Sequence, residues 1–236
     1  TSEDLTVATT VNLTATDEII AKMDAATAAT MSAGFGDAAT VTESTITSAT
    51  LTSVNVSGNG SAPRFDLNAS PLVATVNISG DQNVIVEMGA DDITALTGDA
   101  VTVTDTSTGT STLAIGANAG GGTNVIDLTA AGVDIIQLEA NQNGIITVAS
   151  GANVVVGADQ TGGNDTFDGP DAGAATNVIN VAINDGNATN AATVGLNAIF
   201  TDFKTVNIDA SGDDAGATLT SLTATADNSD INITGH

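Results

Sequence analysis

Short runs of alternating apolar and polar residues recur along this chain, each closed by a small polar turn. The clearest copies are Thr52-Ser53-Val54-Asn55-Val56-Ser57-Gly58 and Ala74-Thr75-Val76-Asn77-Ile78-Ser79-Gly80. Thr205-Val206-Asn207-Ile208-Asp209-Ala210-Ser211-Gly212 and Asp230-Ile231-Asn232-Ile233-Thr234-Gly235 repeat the phrase, and Thr10-Val11-Asn12-Leu13-Thr14 is an N-terminal relative. In each, apolar residues flank a central Asn, the period of two expected of a strand buried on one face. Weaker strands are expected at residues 101–104, 124–128, 144–148 and 177–181.

Spacing chooses the architecture. Asn55 and Asn77 lie 22 residues apart and Asn207 and Asn232 lie 25 apart, about the length of one coil of a solenoid, which must stack on its neighbours to bury its apolar face. The pattern therefore predicts an all-β fold, a parallel β-solenoid of β-helix or β-roll type over residues 51–236, with aligned Asn side chains forming an amide ladder. A β-sandwich, with strands roughly every 8 to 12 residues, is the alternative. Residues 1–50 are expected to hold a strand and a short capping helix. Asp17 would be its N-cap, Glu18 would sit in the first turn, and Ile19, Ile20, Met23, Ala26, Thr30 and Met31 would form the apolar stripe that Gly34 ends. Pro63, Arg64 and Pro71 mark a loop.

Composition sharpens this picture. The chain has no Trp, no Tyr and 5 Phe, so the core is expected to be layers of Val, Ile, Leu and Ala. Its 38 Thr, 21 Asn and 25 Gly suit strands and the turns between them. Cysteine is absent, which leaves packing, backbone ladders or bound hard cations to stabilise the fold. There is neither a signal-peptide core nor an apolar run of about 18 residues, and the chain reads as a mature or excised soluble segment.

Charge excludes whole classes of function. Against 28 acidic side chains stand Lys22, Arg64 and Lys204, for a net charge of −25. Nucleic acids and anionic membranes both require clustered cations, so no nucleic-acid partner and no membrane insertion are expected. Phosphates and acidic polysaccharides are disfavoured for the same reason. The sole histidine is His236, so neither a Ser-His-Asp triad nor a His/Cys zinc site can be assembled. Adjacent acids such as Asp91-Asp92 point to opposite faces of a strand and make a poor glycosidase pair. An enzyme is not expected.

The acids are skewed, 23 Asp against 5 Glu, and single Asp-Gly pairs read as turn formers. Residues 157–173 are denser: Asp159, Gly163, Asn164, Asp165, Asp168 and Asp171 stand among five glycines. Such a set of oxygen donors repels itself unless a cation bridges it, and the donors suit Ca²⁺. Within it, Gly162-Gly163-Asn164-Asp165-Thr166-Phe167-Asp168-Gly169 resembles the glycine- and aspartate-rich nonapeptide of RTX proteins.

Together with the phrase Phe203-Lys204-Thr205-Val206-Asn207-Ile208, the chain resembles RTX-type bacterial surface-layer proteins and related secreted β-solenoids. That resemblance implies export by a type I system, Ca²⁺ held in β-roll turns, with Asp165 as the best single ligand candidate, and assembly into a two-dimensional lattice. The expected partner is the chain itself, as homo-oligomer, lattice or filament on the bacterial cell surface. A cell-surface polysaccharide contacted through regions outside this segment is a further expected partner. The alternative function is an extracellular adhesin or ligand-binding module.

Overall fold

In a computed structural model of the chain, the described residues are 51–58, 64–81, 83–116, 125–158, 160–170, 176–183, 194–211, 217–225 and 229–235. Before residue 51 only strand backbones are described. Two compact units divide the chain: residues 1–114 with 130–134, and 115–129 with 135–236.

Each unit is built from parallel strands that alternate between two stacks as the chain advances, the construction of a β-solenoid. In the first unit one stack runs Thr10–Thr14, Thr30–Phe35, Ser53–Gly58, Thr75–Gly80 and Thr102–Asp105, all parallel. The other contains Glu3–Asp4, Met23–Asp24, Glu43–Thr47, Arg64–Ala69 and Val84–Gly89. In the second unit the stacks are Val125–Leu128, Ile145–Val148, Gln160–Asp168, Gly195–Thr201 and Thr218–Ala224, and Ile135–Leu138, Ala152–Val156, Val178–Ile183, Thr205–Asp209 and Asp230–Thr234. Parallel pairing throughout bears out the solenoid over the antiparallel sandwich. The repeat phrase marks only part of each coil, because the strands of the opposite stack, such as Arg64–Ala69 in the first unit and Gly195–Thr201 in the second, carry no recurring motif. The segment around Arg64, expected as a loop, is a strand whose Phe65 and Leu67 alternate inward.

Alternation places the core. Val54, Val56, Val76, Ile78 and Val103 fill one side of the first unit, and Val154, Val156, Val181, Val206 and Ile208 do the same in the second. The few aromatics matter more than their number suggests. Phe65, Phe167, Phe200 and Phe203 are all fully buried, and Phe167 stacks on the registered Phe200 of the next coil at 5.4 Å and 14°. A parallel ladder sets strands about 4.8 Å apart, which suits ring-on-ring contact.

The outward Asn residues form the predicted ladder. Asn77 Nδ2 donates to Asn55 Oδ1 at 2.7 Å in the first unit. In the second, Asn180 donates to Asn153, Asn207 to Asn180 and Asn232 to Asn207, at 3.0, 2.9 and 2.9 Å. In-register pairing makes this possible because equal side chains meet at one strand spacing. Coil corners are closed by buried amides: Gln160 Oε1 accepts from the Gln142 N–H at 3.0 Å, while both Gln side chains donate to the Ala140 carbonyl.

The N-terminal helix is corrected where the structure describes it. Met23–Asp24 and Thr30–Phe35 are strands, while residues 15–22 and 25–29 lie outside the described residues. Thr30-Met31-Ser32-Ala33-Gly34 satisfies a period of two as well as a helical stripe, and its register with Ser53–Gly58 gives its backbone a full parallel ladder. Among the described residues the one helix is the single turn Ala90–Thr94, and no helix is long and apolar enough to cross a membrane.

Two substitutions test this account. Asn207→Ala removes one donated and one accepted ladder bond and should lower the unfolding free energy by roughly 1–2 kcal/mol in urea melts. Phe200→Ala should cost about 3–5 kcal/mol. An Asn207→Ala protein as stable as the parent would show that the ladder only decorates the fold.

Candidate functional site

Four of the described aspartates close short rings on their own strands or turns. Asp66, Asp105, Asp127 and Asp209 each accept, through Oδ1, the N–H of the residue two positions on, at 2.7–3.0 Å. Only a short carboxylate closes that ring, which accounts for Asp over Glu. Asp99 and Asp202 serve turns differently, with φ of 54° and 62° in the left-handed region that Asp tolerates. Asp91 and Asp92 open the helical turn after Gly89. Burial raises the pKa of Asp92, the Gly89 N–H opposes that rise, and Asp91 and Asp66 add to it by repulsion. Asp81 sits exposed in a bend, while Asp185, Asp213 and Asp214 lie outside the described residues.

The dense acidic segment folds differently from a turn. Gln160–Asp168 is a nine-residue strand, and its glycines allow close approach: a Cβ on Gly162 would collide with the Asn141 side chain, and one on Gly163 with Asn143. Against the next coil the strand bulges, since Gln160 pairs with Leu196 while Asp165 pairs with Ala198. That is five residue steps facing two. Asn197 pins the bulge, donating from Nδ2 to the Gly163 carbonyl at 2.8 Å.

Alternation then separates the expected ligands. Asp165 points inward and is fully buried, as is Phe167, whereas Asn164 is exposed and Asp168 is half-buried on the outer face. Asp168 meets Asp202 instead: burial and then repulsion from Asp202 raise its pKa, and the Gly169 N–H opposes this. Gly169 must be glycine there, because a Cβ would stand 2.9 Å from the Asp202 carbonyl oxygen. Gly163, Asn164 and Asp165 thus share one bulge, but Asn164 faces outward with Asp168 while the Asp165 carboxylate turns inward. Asp159 and Asp171 lie outside the described residues.

Asp165 is the anomaly of the molecule. The Thr166 N–H donates to the Gly144 carbonyl at 2.7 Å, so Asp165 lies beside a residue with no side chain, with Ala198 in register on its other flank. Burial drives its pKa up to about 6, and the nearby N–H groups of Asn143 and Gly144 pull it back only in part. Neither of its oxygens completes a hydrogen bond of good geometry. Among the described residues the other buried side-chain atoms without a partner are Asn141 Oδ1 and Gln142 Oε1. All four orphans are oxygens, and all belong to residues 141–165.

Sequence reasoning missed Asn141, Gln142, Asn143 and Asp202. Stepping back one coil length of about 22 residues from Asp165 would have reached Asn143, but Asn197 lies 34 residues from the Gly163 it holds, beyond a regular period. No group of three or more acidic, His or Cys side chains converges on a metal-sized space among the described residues. Neither a protein-family model, a curated protein nor a solved structure matches the chain.

The pH dependence of stability follows from Asp165. The folded carboxyl holds its proton more tightly than the unfolded one, at about 6 against 3.8. Its stabilising protonation is therefore complete below pH 4 and lost as pH rises through 6. In chelator, Asp165→Asn should match the parent near pH 4 and exceed it by roughly 2–3 kcal/mol at pH 7.5 in denaturant melts. Equal stability at both pH values would place the carboxylate in contact with solvent or a donor.

Proposed function

We propose that this chain is a structural segment of a bacterial cell-surface layer, self-associating with the help of Ca²⁺. The observation that carries this reading is the parallel, in-register stacking within each unit. Inward Val, Ile and Phe and outward Asn both spend their contacts on joining one coil to the next, which suits a wall or spacer. The surface for self-association is the strand Asp230–Thr234, paired on one side with Thr205–Asp209 and exposing Ile231 and Ile233 at 38% and 53%. Ile231 and Ile233 continue the buried row of Val206 and Ile208, so this strand can pair with a further one, from another coil or from a second copy of the chain. A net charge of −25 opposes such contacts until cations screen it.

Calcium fits the orphaned oxygens. Carboxylate and amide oxygens are hard donors, and Asp165 and Asn141 each hold such oxygens buried and without a hydrogen-bond partner. A cation there would neutralise Asp165 and stabilise its ionised form. Asp168 and Asp202 form a separate acidic pair on the outer face, suited to screening between molecules.

The test is thermal unfolding with light scattering and electron microscopy on chelated protein at pH 7.5, titrated with Ca²⁺ and, as control, Mg²⁺. Millimolar Ca²⁺ should raise the melting temperature, by an amount equivalent to about 2.7 kcal/mol at a hundredfold excess over Kd, and ordered sheets or filaments should follow. Asp165→Asn should remove the thermal shift. An unchanged melting temperature would sink the specific site, and a monomer at every Ca²⁺ concentration would sink the surface-layer reading.

A further inference from the structure

The outer face of the second unit carries a trough of about 440 Å³. Two registered rows frame it. One is the Asn ladder through Asn180, Asn207 and Asn232, and the other runs from Val155 through Ala182 to Asp209. Small side chains at Val155 and Ala182 leave the floor low and apolar, and the Asn row forms a polar wall.

That wall is a periodic set of hydrogen-bonding groups. A carboxamide carries two N–H donors and an oxygen with two lone pairs. Asn180, Asn207 and Asn232 each donate once down the ladder, so a second N–H remains on each. These donors recur at the strand spacing of about 4.8 Å, held in place by the ladder and therefore preorganised. Their direction of repeat follows the stack, so the ligand they match is extended and repetitive.

The chemistry of the lining selects among such ligands. It contains no Lys or Arg and one acid, Asp209, in a chain of net charge −25, which repels anionic polymers. An extended peptide would dock by adding to a strand edge, whereas this trough lies on a sheet face, where side-chain amides and not backbone groups are presented. Hydroxyl groups suit the amide wall, and the C–H faces of sugar rings suit Val155 and Ala182. The volume is within the range of small-molecule sites, about 300–1,000 Å³.

We infer that this trough is a binding site for a neutral polysaccharide chain lying along the Asn ladder. The inference goes beyond the structural role and does not need assembly, because it is read on the monomer in chelator. Calorimetry with cellohexaose, xylohexaose, maltohexaose and chitohexaose, and with polygalacturonate as the anionic control, tests it on the full chain. At least one neutral oligosaccharide should bind at millimolar concentration or below. Ala182→Arg, whose side chain fills the trough and can pair with the registered Asp209, should weaken that binding by about tenfold or more with the circular dichroism unchanged. Val155→Arg is the second filling variant should the first fold poorly. Absence of binding by every neutral chain overturns the inference, as does binding that both filling variants leave intact or tighter binding of polygalacturonate.

Discussion

Parallel, in-register stacking requires each position of a strand to face the same way in coil after coil, and every other feature of this molecule answers to that requirement. Inward positions take Val, Ile or Phe because the same narrow layer is filled again about 4.8 Å further on. The Phe167–Phe200 stack is the clearest product, two rings in neighbouring coils brought face to face by register alone. Outward positions repeat with equal force, and Asn can answer its own copy because a carboxamide is both donor and acceptor. A Thr or Ser in the same row lacks the reach to do this across a strand gap, which is why the ladder runs through Asn153, Asn180, Asn207 and Asn232.

The same alternation governs the charges. Aspartate in or at the end of a strand can fold back on the N–H two residues later without being buried, and Asp66, Asp105, Asp127 and Asp209 do so. A large net charge is thereby carried on turns at little cost to the core. Asp165 is the exception because a bulge changes the parity of its strand and swings its carboxylate inward. A buried carboxylate with no counter-charge is expensive, and such departures from local rules gather at functional positions. The glycines before it have a packing purpose, letting the strand pass against Asn141 and Asn143.

Structural and binding roles are compatible on this scaffold. A stack that joins coil to coil also lays out side chains as a regular lattice on its outer face, and that regularity is what a repetitive polymer can recognise. Rigidity serves both ends: the ladder amides cannot rotate freely, so little ordering entropy is lost when a ligand meets them.

Sequence by itself determined the strand type, the parallel solenoid and the Asn ladder, because period-two alternation and a coil-length repeat are local, additive signals that survive without coordinates. Asn55, Asn77, Asn207 and Asn232 announced the ladder by spacing. Less was legible where a segment satisfied two periods: Thr30–Gly34 reads as a helical stripe or a strand, and pairing with Ser53–Gly58 decided for the strand. The candidate site was legible only as a concentration of oxygen donors. Which of them share a space depended on a bulge of five residue steps against two and on a coil of irregular length. Those are properties of pairing between distant strands, so tertiary structure alone turned Asp165 inward, sent Asp168 to Asp202, and opened a trough beside the Asn ladder.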